Sequence, residues 1–345
     1  MEESQQPPHH PSPHAPPPPT PSPTLPRVLL LSAPSVYLTH RAHFAAHFHF
    51  LESHLSPHLP LPQFLSAHSA ADVSALLASG NGPPITADGV LRDLPELKCI
   101  VTTSAGVNHI DLEECRRRGI VVANAGGVFG EDVADAAVGL LLDVMRMVSA
   151  GDRFVRGGEW KGEEAFGLGR KLTCKRVGIV GLGNIGSKVA TRLAAFNCSI
   201  FYISRNTKPD VPYVYCSDIY ELAEKVGILI ICCGLTDQTR HMVNEEVLAK
   251  LGKDGVIVNI SRGAIIDEEE LVRCLVENKI AGAGLDVFEH EPIIPKELFA
   301  LDNVVLSPHR AVFTTNSFDD MYEHVTGNLK AFFAGKPLLS PYVDD

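Results

Sequence analysis

The chain has 345 residues, 45% of them hydrophobic and 21% charged, with a formal net charge of −11 at pH 7. That is globular composition on a scale of about two domains, and so acidic a surface disfavours nucleic acid and anionic membranes as partners. The longest apolar run, at residues 226–233, is far below the ~20 residues that a membrane-spanning helix needs.

Residues 1–26 hold eleven of the 25 prolines and almost no apolar side chains, so a disordered tail is expected there. Two glutamates, and no arginine before Arg27, argue against a transit peptide. Residues 27–32 form a short apolar run that reads as a buried strand. Phe44, Phe48, Leu51 and Leu55 then repeat at helical spacing and predict a helix. Strands are predicted at 73–78, 99–103 and 119–123, with a helix at 90–97. Val133, Ala137, Leu140, Leu141 and Val144 share one face of a helix expected over 132–147. After a glycine-rich segment at 151–169, six strands alternate with helices, at 176–180, 200–204, 227–232, 255–260, 282–286 and 304–307. A last helix is expected over 317–334.

Alternation of this kind implies parallel sheet. The expected fold is α/β, with two doubly wound parallel-sheet domains, Rossmann- or flavodoxin-like, separated by a cleft. One domain is discontinuous, 27–127 plus 311–345, and would hold substrate; the other, 128–310, would hold a dinucleotide. Eight cysteines without a CxxC pair, in a chain this long, read as reduced thiols. The chain begins without a secretory pattern and ends, at 342–345, without a Ser-Lys-Leu address. A cytoplasmic location is therefore expected.

The sharpest motif is Gly181-Leu182-Gly183-Asn184-Ile185-Gly186. It follows an apolar strand and opens a helix predicted at 187–196, the setting of a dinucleotide fingerprint. Gly181 permits the tight turn, Gly183 lets backbone approach a pyrophosphate, and Gly186 lets helix lie on strand, with the pyrophosphate at the helix N-terminus. The next strand ends in Ser204, Arg205 and Asn206. Where NAD binders place an acid for the ribose 2′-hydroxyl, this chain has none. Ser204 and Asn206 can donate hydrogen bonds, Arg205 can grip a 2′-phosphate through its planar fork, and Lys208 adds charge. NADP(H) is the expected cofactor, with Arg205 stacking on adenine as the alternative. Asp210 lies beyond Pro209 and is not read as the missing acid.

Three ionisable residues, Arg262, Glu291 and His309, each fall just past a later strand's carboxyl end, where open α/β sheets bind ligands. Reduction of a carbonyl by hydride needs a proton donor, a group that keeps the donor charged, and a cation for a substrate carboxylate. His309 suits the acid. Glu291 would favour its charged form and orient it. Arg262 could clamp a 2-oxo acid bidentately. By spacing alone, each could equally be a surface ion-pair partner.

At these residues the chain resembles the D-isomer-specific 2-hydroxyacid dehydrogenases, and most closely the plant hydroxypyruvate/glyoxylate and hydroxyphenylpyruvate reductases. Residues 103–112, 131–140, 181–186, 259–263, 284–292 and 307–309 carry the likeness, which covers roughly 95–340 well and 27–94 weakly. The resemblance implies that Arg262, Glu291 and His309 are the catalytic Arg, Glu and His. It implies that Ser104 and the backbone amides of Ala105 and Gly106 hold the substrate carboxylate. It also implies that Ile260, Ser261, Asp286 and Ala311 lie along the nicotinamide, Asp286 near its carboxamide, and that Cys233, Gly234 and Leu235 pass the adenosine side. A homodimer using the 132–147 helix is a further implication. The chain departs from the family pattern at Gly234, where proline is usual, and at Ala311-Val312-Phe313, where a small pair usually follows the histidine.

Other features invite less chemistry. His40, His43, His47, His49, His54, His58 and His68 are dense, and His43 and His47 would share a helical face, but no carboxylate or cysteine completes a metal set. His109 could line the pocket or serve a plain hydrogen-bonding role. His290 adjoins Glu291 only in sequence. Trp160 is expected to anchor the interdomain segment. The function expected is NADPH-dependent reduction of a small 2-oxo acid: hydroxypyruvate, glyoxylate or hydroxyphenylpyruvate. The rivals are an NAD-dependent phosphoglycerate- or formate-type dehydrogenase and a dinucleotide-sensing corepressor, a binding protein that reuses this fold.

Overall fold

The structure, a computed structural model, describes residues 25–162 and 166–342. The expected tail lies outside the described residues except for Leu25 and Pro26.

Five short strands form the first sheet: β1 (Arg27–Leu30), β2 (His49–Glu52), β3 (Ala75–Ala78), β4 (Cys99–Thr102) and β5 (Val121–Ala123). Helices α1 (Ser35–Ala45), α2 (Leu61–Ala67) and α3 (Leu112–Arg118) lie among them. The order is β2-β1-β3-β4-β5, with every ladder parallel, which is the flavodoxin-like arrangement. Next come α4 (Gly130–Arg146) and α5 (Val148–Arg156).

The second sheet has seven strands: β6 (Arg176–Val180), β7 (Ser199–Ile203), β8 (Val214–Tyr215), β9 (Ile228–Ile231), β10 (Val256–Asn259), β11 (Gly282–Leu285) and β12 (Val304–Leu306). Between them run α6 (Asn184–Ala194), α7 (Ile219–Lys225), α8 (Glu245–Leu251) and α9 (Glu268–Val276), and α10 (Thr315–Phe333) closes the chain. The order β12-β11-β10-β9-β6-β7-β8 is again wholly parallel. It reverses direction between β6 and β9, so a crevice opens beyond the carboxyl ends of those two strands.

The central strands are buried on both faces. Val177, Ile179, Leu229, Ile230, Ile257 and Val258 have no exposure, each contributing roughly 1.5–3 kcal/mol of apolar burial. This explains why they read as continuous apolar runs without alternation. α4 precedes the second sheet in sequence but packs on its β10 and β11 and on α6, burying Val133, Ala137, Leu141 and Val144. α10 returns to the first sheet, packing on α1 and β4. Its start is fixed by a capping box between Thr314 and Ser317. Beyond it, Pro341 bridges to Ala123 and the Tyr342 amide donates to the Val122 carbonyl at 2.7 Å.

Several expectations are corrected. The helix expected through Phe44–Leu55 ends at Ala45, and His49–Glu52 instead pairs with Arg27–Leu30. Of the residues that set the helical period, Leu55 is 63% exposed, and Phe44 and Phe48 are buried for another reason: with Phe50 they form one ring cluster with centroids 5.7 and 6.1 Å apart, and the open edge of β1 recruits the segment. His47 therefore lies outside α1 and does not share a helical face with His43; its Nε2 is 3.2 Å from Lys330 Nζ. The helix expected at 90–97 is a short helical turn at Ala87–Leu91. The 151–169 segment begins inside α5. The second sheet has seven strands, not six, because two-residue β8 is too short to leave a pattern. Trp160 is 69% exposed, so it is not packed as an anchor of the interdomain segment among the described residues.

Candidate active site

β6 delivers the chain into the crevice through a turn that only glycine allows. Gly181 has φ +96°, and a Cβ there would lie 2.9 Å from the Cys233 backbone. At Gly186 a Cβ would meet the Gly181 carbonyl at 2.1 Å. α6 starts at Asn184 with Gly183 as N-cap, three residues earlier than expected, so Asn184, Ile185 and Gly186 form its first turn. Free N–H groups of that turn point where a phosphate would sit. Nothing would crowd a Cβ at Gly183, which leaves room for a ligand against the backbone.

A cleft of about 950 Å³ opens beside this loop, lined by Gly181, Leu182 and Gly183, by Ser204, Arg205, Asn206 and Lys208, by Cys233 and Gly234, and by Ala105 and Gly106 from the first sheet. The 204–208 turn is shaped by Tyr202, whose hydroxyl accepts the Lys208 amide at 2.8 Å. Ser204 donates to the Asn206 carbonyl. Asp218 also lines the cleft, but its carboxylate caps α7 through Glu221 N–H at 2.8 Å and receives the Ser217 hydroxyl. It is thus committed to structure. The residues present fit a dinucleotide: a cradle without Cβ atoms, a helix N-terminus, and two cationic side chains at the ribose end. A hollow of about 1000 Å³ on the outer side of the first sheet is lined by none of these residues, and its Arg27 and Arg41 are paired with Asp72 and Glu52.

The chemistry-bearing residues gather at the ends of β10, β11 and β12. His309 Nδ1 lies 2.8 Å from Glu291 Oε2, and Glu291 Oε1 accepts the Phe288 amide at 3.0 Å. Burial pushes the Glu291 carboxyl up, but the His309 hydrogen bond, the Phe288 amide and the His309 and Arg262 charges outweigh it and hold Glu291 below the usual carboxylate range. It is an anion at neutral pH. With Nδ1 bound to Glu291, Nε2 is the nitrogen left to give a proton.

His309 adopts left-handed backbone, φ +53°, a conformation that costs a non-glycine residue roughly 1–2 kcal/mol. Asp286 holds it there. The Asp286 carbonyl accepts the His309 amide at 2.8 Å. Its carboxylate, 1% exposed, accepts the Arg310 and Ala311 amides at 2.8 and 3.0 Å and the Ser307 hydroxyl. Asp286 thus directs its carboxylate into the segment that carries His309.

Arg262 is set by Asn259, 1% exposed, which donates to the Arg262 carbonyl at 2.9 Å and accepts the Ser261 amide at 3.1 Å. Burial lowers the Arg262 pKa and the Glu291 charge opposes that. Its guanidinium lies against Gly106, where a Cβ would fall 2.6 Å from Nη2. This contact joins the first sheet to the triad. Ser261 also donates to the Cys233 carbonyl, tying the β9 and β10 ends together. Ile260 is buried behind them at 6% exposure.

Ser104 donates to the Gly106 carbonyl at 3.0 Å, shaping the loop rather than offering its proton outward. Sequence reasoning passed over Asn124, whose amide donates to the Ala105 carbonyl at 2.8 Å, and Thr102, buried beneath the loop. It also passed over Tyr342, which lines the cleft. A buried polar residue at a strand's carboxyl end, as at Thr102 and Asn259, was the legible signal.

A fold of two parallel sheets with a dinucleotide loop between them, and an Arg–Glu–His group at the strand ends, defines a class of nicotinamide-dependent oxidoreductases. The chain belongs to the D-isomer-specific 2-hydroxyacid dehydrogenases: the profile of that family's NAD binding domain matches residues 138–311. It is 52% identical to the glyoxylate/hydroxypyruvate reductase HPR3 of Arabidopsis thaliana over 92% of this chain and 97% of that protein. It is 45% identical to the hydroxyphenylpyruvate reductase of Plectranthus scutellarioides over 82% and 90% of the two chains. An NADPH-dependent glyoxylate/hydroxypyruvate reductase from Sinorhizobium meliloti, solved with NADP and malonate, superposes with a TM-score of 0.82 at 34% identity, covering 93% and 97%.

Proposed function

We propose that the chain reduces a small 2-oxo acid, of the hydroxypyruvate, glyoxylate or hydroxyphenylpyruvate kind, to the D-2-hydroxy acid with NADPH. The observation that carries this reading is the 2.8 Å His309–Glu291 pair, grouped with Arg262, whose guanidinium meets Gly106 of the cleft wall. When bound, the nicotinamide supplies the hydride to the carbonyl carbon. Arg262 and the Ala105 and Gly106 amides bind the substrate carboxylate, which fixes which face of the carbonyl is presented. His309 Nε2 gives its proton to the carbonyl oxygen as negative charge develops there. Glu291 orients the ring and compensates its charge.

NADPH rather than NADH is supported by Arg205 and Lys208 at the cleft and by Ser204-Arg205-Asn206, rather than an acid, at the end of β7. The reading assigns 27–127 plus 311–345 to the substrate unit and 128–310 to the cofactor unit, supported by α10 packing on the first sheet and α4 on the second. Free cysteines throughout support a reducing compartment, the cytosol. A homodimer is supported by the exposed apolar side chains of Val148, Val155, Trp160 and Leu168.

The test is an assay of the three 2-oxo acids with NADPH and NADH. At least about tenfold higher kcat/KM with NADPH is expected, falling in Arg205→Ala. His309→Gln should lower kcat about 10²–10⁴-fold with NADPH binding nearly intact. Near-native turnover by that variant would refute the acid's role. Oxidation of neither cofactor by any 2-oxo acid would turn the reading toward a dinucleotide-sensing binding protein, and equal use of NADH toward the NAD-dependent dehydrogenases.

A further inference from the structure

The reaction above gives His109 no role, although it stands in the substrate loop. Its ring is half-buried, and burial first, then the Arg262 charge, hold its pKa below the ordinary histidine value. The imidazole is therefore neutral at neutral pH, and one nitrogen carries its proton.

Counting protons around it decides which nitrogen. Ser104 has one hydroxyl proton, spent on the Gly106 carbonyl at 3.0 Å, since a carbonyl only accepts. The 2.8 Å contact between the Ser104 and Thr102 hydroxyls must then use the proton of Thr102. Thr102 Oγ1 also accepts the Ser104 amide at 3.4 Å. Its last contact, 3.2 Å to His109 Nε2, needs a proton from the imidazole. His109 is the Nε2–H tautomer, and the hydrogen bonds run one way: His109 to Thr102, Thr102 to Ser104, Ser104 to the Gly106 carbonyl.

We propose that His109 is a positioning residue for the substrate carboxylate, heading a directed hydrogen-bond chain that fixes the Ala105–Gly106 segment against Arg262. Thr102 has no exposure, so with His109 removed its buried oxygen would lose a donor that water cannot readily replace. Successive hydroxyls polarise one another, which strengthens the terminal bond to Gly106. From the other side Asn124 holds the Ala105 carbonyl. The two amides assigned to the carboxylate thus sit on a segment pinned at both ends and packed under the guanidinium. The assignment rests on the reading of 105–106 as the carboxylate site.

The test uses the full-length enzyme and a double-mutant cycle. His109→Ala and Ser104→Ala should each raise the KM for the 2-oxo acid about tenfold, leave the KM for NADPH and kcat within about twofold, and together do no worse than either alone, because both cut one chain. His109→Gln, whose amide N–H can replace the donor, should recover most of the loss. Additive effects, a parallel rise in the KM for NADPH, or a Gln variant as poor as Ala would overturn the proposal. A second reading is independent of turnover: ¹⁵N NMR of histidine-labelled wild-type protein should show His109 protonated at Nε2, and the Nδ1–H tautomer would overturn it. Should the wild-type chain reduce no 2-oxo acid, the assigned reaction falls, and the proton count stands or falls on that spectrum.

Discussion

Gly106 shows how a residue without a side chain can carry specificity. Its backbone is the floor on which the Arg262 guanidinium rests, and a methyl group there would fall 2.6 Å from Nη2. The atom that must give way is the end of a flexible side chain, so the fold survives and the cation moves. Gly106→Ala should therefore raise the KM for the 2-oxo acid by about an order of magnitude, as expected when a charge-assisted pair is displaced. The KM for NADPH and the thermal midpoint should hardly change. A fall in the melting temperature with unaltered KM would show that the glycine serves the fold instead. Arg262, Glu291 and His309 were legible in the sequence because strand ends in an α/β chain mark the ligand side. His109 was legible only as a neighbour of the loop, and Asn124 was not legible at all, because a hydrogen-bonded polar side chain under a loop leaves no periodic or spacing signal.

At the scale of elements, buried parallel strands announced themselves, whereas two of the four edge strands did not. β6, β9 and β10 are apolar runs because both faces are covered. β2 and β8 lie at sheet edges, where pairing is decided by a neighbour's open backbone rather than by local pattern, so one was read as helix and the other missed. The 307–311 segment is also an element whose shape is set from outside, by Asp286. Asp286→Asn would place an amide donor where backbone amides already donate. We expect a loss of about 1–3 kcal/mol in urea unfolding, the usual cost of an unsatisfied buried polar group. Because Asp286 supports the left-handed backbone at His309, kcat should fall with it. An unchanged denaturation midpoint together with wild-type kcat would rule out this bracing role.

At the scale of the whole molecule, large apolar side chains are exposed at points from Leu25 to Leu339, and Val148, Val155, Trp160 and Leu168 are the densest run of them in sequence. Val148 is 60% exposed, Trp160 69% and Leu168 96%, on α5 and the stretch that follows it. Scattered apolar exposure is ordinary, but a contiguous patch of large side chains marks an association surface. Analytical ultracentrifugation should find a dimer at micromolar concentration, and Trp160→Glu with Leu168→Glu should shift it to monomer. A wild-type chain that sediments as a monomer would remove the dimer from the reading.

The chain crosses from the first sheet to the second after β5 and returns only at α10. During synthesis this order imposes a delay. Between Ala123 and Thr315 lie about 190 residues, some 10–40 s of ribosomal elongation at the usual rate. Throughout that interval α1 and β4 have emerged without the helix that covers them, and Phe44 lacks Tyr322, its ring partner at 4.8 Å. The nascent first sheet must wait, with an apolar face bare, while the dinucleotide half is made. It is at this stage that a holding chaperone would find its client.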